Sequence, residues 1–410
     1  MRILMLAFNY APERTGGGVT TSGRASYLAS VGHEVTVISG FPYYPEWRTH
    51  LGYRHRFTMS ERIDGVSVLR RWHHVPRRAG PFGRAAMEAT FAATAIPTAF
   101  RSGRPDLILS ATPAIGAALA GSIAARRHHI PHGILVLDLA GRSAQQSGMP
   151  LGTFVRRIAE PLESRLLRSA SRVGIVAEGF RSPLEGMGVD GDRIKLLTDW
   201  KVTSEPSIPR IDVRGRLGLP LEAPIVLHAG NMGFKQGLEN VPQAAALAAK
   251  LRPDVQFVLV GAGSERSRIE DAADELELRN LHLLPLQPVE WLPSILGAAD
   301  VLLLNQRASV TDMSLPSKLA DYFASGTPVI AAVNSQSEAA REVHRAGAGI
   351  AVEPEDPAAL VDAILDLLSD PARARALGEA GQSYARSRYT REALGSALDE
   401  FVERLRSDSL

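Results

Sequence analysis

The chain has 410 residues, of which 45% are hydrophobic and 22% charged, and its formal net charge is +2. This length exceeds one ordinary hydrophobic core, so we expect two globular domains of a soluble protein. The absence of cysteine excludes disulfides, thiolate metal sites and a cysteine nucleophile. Because a net charge this small gives no general attraction to nucleic acid, we predict no nucleic-acid partner.

The N-terminal segment, residues 1–12, does not have the pattern of a signal peptide, because its apolar run is short and ends at Asn9 and Pro12. The apolar stretch 107–125 contains Thr112 and Pro113 and favours a buried strand followed by an alanine-rich helix. We therefore expect no membrane span. The predicted location is cytoplasmic, with peripheral contact at the inner face of an anionic cytoplasmic membrane as a further expectation.

Strand-like runs alternate with helical ones along both halves of the chain, which is typical of parallel sheets covered by helices on both faces. Pro206 and Pro209 break the periodicity between the halves. We predict an α/β protein with two Rossmann-like doubly wound domains, 1–205 and 206–385, and a ligand cleft between them. A charged helix near 386–410 is a candidate to pack back on the first domain. The predicted strands cover 3–8, 35–39, 66–70, 107–110, 134–138, 173–177, 194–197, 225–229, 256–261, 281–284, 301–305, 329–332 and 349–352.

The loop after the first strand contains three consecutive glycines, Gly16, Gly17 and Gly18. Glycine lets the backbone approach a ligand closely and expose its N–H groups. The glycines are not spaced as in dinucleotide-binding proteins, which disfavours a nicotinamide cofactor. A plain flexible loop is the alternative. Asp138, at the end of the strand 134–138, is either a carboxylate facing the cleft or a buried capping residue.

An arginine-rich region extends from Glu46 to Arg104 and contains eleven arginines, no lysine and four acidic residues. Its densest part runs from Arg70 to Arg78. One interpretation is a solvated loop, and the other is a face for an anionic partner, such as a phospholipid head group or a pyrophosphate-linked acceptor. In the second interpretation Arg77 and Arg78 contact the acceptor.

The loop after strand 225–229 reads Gly230-Asn-Met-Gly-Phe-Lys-Gln-Gly237. Small residues beside Lys235, at the end of a strand, suit a phosphate because glycine allows close approach and the ammonium supplies charge. Gly261 ends the next strand, where it either touches a base or ribose or forms a tight turn. The chain has five lysines, and Lys235 and Lys318 both lie in loops that other features already single out.

The segment 311–331 contains its own helix start, helix end and following strand. Pro316 suits a first helical turn, and Gly326 suits the left-handed position just beyond the helix. A helix N-terminus with nearby hydroxyls and a cation is suited to phosphate, although an ordinary solvated helix face is the alternative. The apolar stripe of this helix comprises Leu315, Leu319, Tyr322 and Phe323, and its polar face comprises Ser314, Ser317, Lys318 and Asp321.

These motifs carry a family resemblance. The runs Gly230-Asn-Met-Gly233, Lys235-Gln-Gly-Leu-Glu239 and Pro316-Ser-Lys-Leu-Ala-Asp-Tyr-Phe-Ala-Ser-Gly-Thr-Pro-Val-Ile330 resemble the nucleotide-sugar half of family 4 glycosyltransferases. The runs Asn9-Tyr-Ala-Pro-Glu13 and Gly32-His-Glu-Val-Thr-Val37 resemble the first domain of the bacterial colanic-acid and N-acetylfucosaminyl transferases. The resemblance implies a GT-B fold with an acceptor-binding first domain and a donor-binding second domain.

The resemblance also implies roles for particular residues. Lys235 and Lys318 would stabilise the diphosphate of the donor, Asp321 would hold its ribose, and Asp138 would orient the transferred sugar or the acceptor. Other donor contacts implied are Gly16, Gly17, Gly18, Gly230, Asn231, Gly261, Ser314, Leu315 and Pro316, and the acceptor contacts are Glu13, Arg77 and Arg78. The chain departs from the family pattern at Met313, where an acid is common, at Asn231, where an arginine is common, and at Ala140-Gly141.

The expected activity is a retaining transfer of a hexosyl or N-acetylhexosaminyl unit from a nucleotide sugar, with UDP favoured, to a hydroxyl group. The acceptor is expected to be a lipid-linked saccharide for surface polysaccharide or a small natural product. No cofactor and no metal are expected. A sugar-nucleotide epimerase on the same fold and a non-catalytic partner that binds nucleotide sugar are the alternatives.

Overall fold

The computed structural model describes residues 1–13, 17–44, 46–76, 80–139, 153–198, 200, 202–310 and 316–407. The chain divides into two compact units. The first comprises Met1–Trp200 and Arg391–Leu410, and the second comprises Lys201–Thr390. The division lies a few residues before the predicted boundary of 205/206.

The first unit is built on an eight-stranded sheet with the order β3-β4-β2-β1-β5-β6-β7-β8 among its described residues. All neighbouring strands are parallel except β3 and β4, which are antiparallel. The strands are β1 Arg2–Leu6, β2 Glu34–Gly40, β3 Thr58–Ile63, β4 Val66–Arg71, β5 Leu107–Thr112, β6 His132–Val136, β7 Arg172–Ile175 and β8 Ile194–Leu196. The helices are α1 Gly17–Ser30, α2 Pro81–Arg101, α3 Ile115–His128, α4 Thr153–Ser169 and α5 Arg181–Gly186.

In the part of the second unit that the structure describes, six strands form a sheet with the order β11-β10-β9-β12-β13-β14, and all neighbouring strands are parallel. Its strands are β9 Ile225–Asn231, β10 Gln256–Ala262, β11 Leu281–Leu284, β12 Val301–Asn305, β13 Val329–Ala332 and β14 Gly349–Val352. Its helices are α6 Arg210–Arg216, α7 Asn240–Leu251, α8 Arg266–Glu275, α9 Leu292–Gly297, α10 Lys318–Ala324, α11 Glu338–Ala346, α12 Pro357–Ser369 and α13 Pro371–Arg388.

Each sheet has an apolar core on both faces, which explains why its central strands are almost continuously hydrophobic. Strand order reverses between β1 and β5 in the first sheet and between β9 and β12 in the second. In open α/β sheets, ligands bind beyond the carboxyl ends of the strands at such a reversal. A ligand site is therefore expected at the loops that follow β1, β5, β9 and β12.

The last helix, α14 Arg391–Ser407, belongs to the first unit. Its apolar face, which includes Leu398 and Phe401, is buried with Ile3 and Met5 of β1. Tyr27 of α1 donates a hydrogen bond from its hydroxyl to Asp399 at 2.6 Å. The chain therefore returns to its first unit after completing the second.

The predicted strands are all present, but strand β3 was missed. It forms a hairpin with β4 through Asp64 and Gly65, both of which have positive φ angles. An Asp-Gly pair between alternating residues is a strong hairpin signal, so the sequence did contain the information. Helix α10 begins at Lys318, two residues after Pro316, and Gly326 has the predicted left-handed conformation with φ of 74°.

Candidate functional site

The second-last residues of strands β9 and β10 are glycines, and neighbouring atoms leave little room for a side chain at either position. Gly230 and Gly261 have φ angles of 131° and 154°, and a Cβ on Gly261 would overlap the carbonyl group of Gly230. A Cβ on Gly230 would lie 3.3 Å from Nζ of Lys318. Glycine at position 230 thus leaves space for the lysine, while the backbone approach by itself explains the glycine at 261.

Lys235 lies on a short 3-10 turn, Phe234–Gln236, that is fixed to the end of β12. Asn305, a fully buried residue, donates from Nδ2 to the carbonyl oxygens of Gln236 at 2.7 Å and Gly237 at 2.9 Å. The amide of Arg307 donates to the carbonyl oxygen of Lys235 at 3.0 Å. These bonds hold the backbone beneath Lys235 in one position.

Arg307 completes this attachment. Its Nε donates to the carbonyl oxygen of Phe234 at 2.7 Å, and its guanidinium lies 4.0 Å from the centre of the Phe234 ring. The same guanidinium pairs with Glu239 and, at 3.8 Å, with Glu355. The charge of Arg307 is therefore balanced locally, and its role is to fasten the turn.

Lys318 and His228 form a contact between α10 and β9. Nζ of Lys318 lies 3.4 Å from Nε2 of His228, and Nδ1 of His228 lies 3.2 Å from the carbonyl oxygen of Leu303. A carbonyl can only accept, so Nδ1 carries the proton and Nε2 accepts from the ammonium group. Burial, followed by the charge of Lys318, holds the pKa of His228 well below its usual range, so the imidazole is neutral.

Burial also lowers the pKa of Lys318 to about 8. A desolvated ammonium group is unstable by itself and becomes more favourable when an anion approaches. Lys318 follows β12, and Lys235 follows β9, so the two cations flank the strand reversal of this sheet. This arrangement is suited to a doubly charged oxyanion such as a diphosphate.

Helix α10 is held in place by the predicted apolar stripe. Leu319, Tyr322 and Phe323 are buried, and the Tyr322 hydroxyl accepts from the amide of Ala229 at 3.0 Å. Asp321 lies on the partly exposed side of the helix. The residues predicted at the start of this segment, Met313, Ser314 and Leu315, lie outside the described residues.

Glu13 is an organising residue at the carboxyl edge of the first sheet. It is 4% exposed, and its Oε1 accepts from the amides of Tyr43 at 2.8 Å and Tyr44 at 2.9 Å. Its Oε2 accepts from Nδ2 of Asn9 at 2.8 Å. Both carboxylate oxygens are thus bonded within the fold, where they join the loop after β1 to the loop after β2. Direct contact with an acceptor stays a prediction.

The glycine run continues from that loop into α1. Gly17 and Gly18 are the first two helical residues, and a Cβ on Gly18 would lie 3.3 Å from Glu13, which leaves little room for a side chain. Gly16 lies outside the described residues, as do Arg77, Arg78, Ala140 and Gly141 of the other predicted features.

Two further carboxylates lie at this edge. Asp138, two residues beyond β6, is partly exposed and accepts from the amide of Leu139 at 2.8 Å. Glu88 of α2 accepts from the amide of Gly116 at 2.9 Å, and burial raises the pKa of its carboxyl to about 7. No pattern in the sequence singles out Glu88, because a single acid on a long helix is ordinary.

The prediction that Arg70 and Arg71 belong to a basic surface was wrong. Arg70 is fully buried, donates from Nε to Glu61 at 2.7 Å and lies 5.7 Å from the ring centres of both Tyr10 and Tyr53. Its neighbour Arg71 is half-buried and donates from Nε to the Thr98 hydroxyl. Arg70 therefore stabilises the β3–β4 hairpin, and Arg71 connects β4 to helix α2.

Comparison with known proteins identifies the family. Residues 15–200 match the family described as glycosyl transferase 4-like domain, and residues 210–384 match glycosyl transferases group 1. The chain is 30% identical over 390 residues to the putative colanic acid biosynthesis glycosyl transferase WcaI of Escherichia coli, an alignment that covers 90% of this chain and 93% of WcaI. The chain belongs to the family 4 glycosyltransferases.

Solved structures place this glycosyltransferase in the GT-B fold. Sucrose-phosphate synthase from Thermosynechococcus elongatus has a TM-score of 0.72 at 20% identity and covers 98% of both chains. HepE from Anabaena, solved with UDP, has a TM-score of 0.72 at 18% identity and covers 98% of this chain and 100% of its own. The predicted fold class and family are therefore confirmed.

None of the described helices is both long and apolar enough to cross a lipid bilayer. Within the described ranges, no group of three or more histidine, aspartate or glutamate side chains is arranged to hold a metal ion.

Proposed function

We propose that this glycosyltransferase transfers a hexosyl or N-acetylhexosaminyl unit from a UDP-sugar to a hydroxyl acceptor, with retention and without a metal. The observation that carries the proposal is the part-buried contact between Lys318 and neutral His228 at the strand reversal of the second sheet. In the reaction, the bond between the anomeric carbon and the β-phosphate oxygen breaks, and the acceptor oxygen bonds to that carbon. The proton of the acceptor leaves with the diphosphate.

Two lysines of the second unit are proposed to stabilise the leaving group. Negative charge develops on the leaving diphosphate, and preorganised cations and amides lower the barrier by stabilising it. Lys318 and Lys235 supply the cations, and the turn at Phe234–Gln236 is already held rigidly. Asp321 is the proposed partner of the ribose. Gly16 to Gly18, Ser314 and Leu315 are proposed to supply amides.

The donor nucleotide is testable by ligand-induced stabilisation. HepE was solved with UDP and, in another crystal, with UDP-glucose, which supports uridine as the first base to test. A thermal-shift series with UDP, GDP, ADP and TDP should give the largest rise in melting temperature with UDP, since a ligand that binds the folded state stabilises it. A larger rise with another nucleotide would reassign the base.

The stereochemistry and metal independence need a turnover assay. Proton NMR of the product should show the anomeric configuration of the donor, and the rate should be unchanged by EDTA. A new epimer formed from the UDP-sugar alone would support the epimerase alternative. Nucleotide-sugar binding without turnover on any acceptor would support the non-catalytic alternative.

The acceptor is proposed to be a lipid-linked saccharide, in keeping with the role in colanic acid biosynthesis stated for WcaI, and a small natural product is the alternative. Asp138 is proposed to orient the acceptor or the transferred sugar, with Glu13, Arg77 and Arg78 as acceptor contacts. Peripheral membrane contact is proposed through the arginines that are exposed, among them Arg48 and Arg101. Cosedimentation with anionic liposomes should then weaken as salt rises.

A further inference from the structure

A cavity of about 370 Å³ lies at the outer end of the first sheet. Strands β2 and β4 run toward it, because Phe41 directly follows β2 and Trp72 directly follows β4. Phe57 directly precedes the antiparallel β3, so it lies at the same edge. The cavity is thus on the carboxyl edge of the first sheet. Its lining includes Phe41, Tyr53, His55, Arg56, Phe57 and Trp72.

One wall of this cavity is formed by two exposed aromatic side chains, Phe57 and Trp72. The rings of Phe57 and Trp72 are stacked, with centres 5.8 Å apart and an interplanar angle of 14°. The amide of Trp72 donates to the carbonyl oxygen of Phe57 at 3.0 Å, which fixes the pair. Phe57 is 63% and Trp72 is 40% exposed, and such large exposed apolar surfaces mark binding sites.

The side chains that line the cavity and can carry charge are basic. Residues 46–61 contain Arg48, Arg54 and Arg56, with Glu46 and Glu61 at the two ends. The Glu61 carboxylate accepts from the Tyr53 hydroxyl at 3.1 Å and is paired with the buried Arg70. Arg56 and His55 line the cavity and are exposed, and no carboxylate is among its described lining residues. His55 has a φ angle of 58°, a conformation that non-glycine residues adopt at some energetic cost. Aromatic faces beside exposed cations are suited to a flat apolar surface that carries a negative charge.

We propose that this cavity binds an acidic sugar residue of the acceptor. The C–H face of the sugar ring packs against Phe57 and Trp72, and its carboxylate or phosphate group pairs with Arg56 and His55. The proposal rests on the proposed function in one respect, that the acceptor is a saccharide. A neutral sugar gains the packing but not the charge interaction, so it binds more weakly.

The test is direct binding to the full chain without donor. Glucuronic acid, glucose 1-phosphate and glucose are titrated, with tryptophan fluorescence and saturation-transfer NMR as readouts. Both acids should bind at least about fivefold more tightly than glucose, because charge-assisted hydrogen bonds are stronger than neutral ones. Binding of one acid alone identifies the group, carboxylate or phosphate, that the cavity prefers, and it supports the proposal equally.

Three variants localise the binding. Arg56→Gln should remove the preference for the acids, and Trp72→Leu should weaken binding of all three sugars. Arg62→Gln is the matched control, because Arg62 is exposed on β3, outside the cavity lining, and donates to the carbonyl oxygen of Gly65. It should leave every affinity unchanged.

Three outcomes would overturn the proposal. These are equal affinity for glucose and the acids, an equal loss in Arg62→Gln, and binding of anionic liposomes that depends on Arg56 while no sugar binds. The last outcome would make the surface a membrane contact. Thermal stabilisation by UDP is measured in parallel. If UDP does not stabilise the chain, the proposed function fails. If UDP stabilises the chain but no sugar binds, only this proposal fails.

Discussion

The two doubly wound sheets of this glycosyltransferase differ in the charged residues that lie near the strand reversals at their carboxyl edges. The loops after β9 and β12 carry Lys235 and lead into Lys318, whereas the corresponding edge of the first sheet carries Glu13, Glu88 and Asp138. The doubly wound sheet provides a crevice at each strand reversal, and the residues of the loops determine the chemistry there.

The two edges also differ in how their charges are bonded. The carboxylates of the first edge accept hydrogen bonds from backbone amides, as Glu13 does from Tyr43 and Glu88 from Gly116. At the second edge, Lys318 contacts a neutral imidazole, which does not offset the charge of its ammonium group as a carboxylate would. The first arrangement joins loops to one another, and the second is suited to an anion.

The strongest test of this difference is to remove the charge of Lys235. Lys235→Ala should reduce kcat by roughly 10²–10³-fold, because the ammonium meets charge that develops only in the transition state. Lys250→Ala, an exposed position on α7, is the control and should behave as the wild type. A loss below about threefold would remove Lys235 from this role.

The second test uses the lowered pKa of Lys318. Its ammonium is charged below about pH 8 and loses its proton above that value, so kcat/KM should fall as the pH rises through about 8. Lys318→Arg keeps its charge at high pH, and its residual activity should show no such fall. An alkaline limb that persists unchanged in Lys318→Arg would assign it to another group.

The third test concerns His228, which positions Lys318. His228→Leu removes the acceptor for the ammonium, so we expect kcat to fall roughly tenfold as the lysine is displaced. The alkaline limb of kcat/KM should move to lower pH, because a hydrogen-bond acceptor favours the charged lysine. His228→Gln keeps an acceptor and should restore part of both effects. Loss of stability with an unmoved limb would show a purely structural role.

The smallest effect is expected at the first edge, on stability. The pKa of Glu88 is raised from 4.5 to about 7 in the folded state, so its contribution to stability is present below 4.5 and is lost as the pH rises to about 7. Glu88→Gln stays neutral and should be more stable than the wild type at pH 8, by roughly 2–3 kcal/mol at most. Equal pH dependence of chemical denaturation in both proteins would contradict this.

Local signals in the sequence predicted much of the second edge. The alternation of apolar runs located the strands around β9 and β12, and Gly326 after an apolar stripe located the end of α10. Lys235 and Lys318 stood out because lysine is rare in this chain and both follow strands. The Asp64-Gly65 turn is an equally local signal, and it indicates the β3–β4 hairpin.

Other features depended on contacts between distant parts of the chain. The sequence shows His228 only as a histidine in an apolar strand, and its contact with Lys318 spans 90 residues. In the sequence, Arg70 has the pattern of a surface residue. Only the β3–β4 hairpin brings Glu61 beside it. Asn305 at the end of β12 and Arg307 just beyond it hold the turn that carries Lys235. The hydrophobic periodicity of the sequence does not reveal these contacts.

The sequence by itself determined the two doubly wound sheets and the family, and it singled out Lys235 and Lys318. Strand periodicity, turn chemistry and short motifs depend on neighbouring residues, so they can be recognised without the tertiary structure. The tertiary structure decided which charges are buried, which are balanced and which remain available to a ligand. Burial and pairing depend on residues that folding brings together, and they set the pKa of Lys318, the neutrality of His228 and the internal role of Glu13.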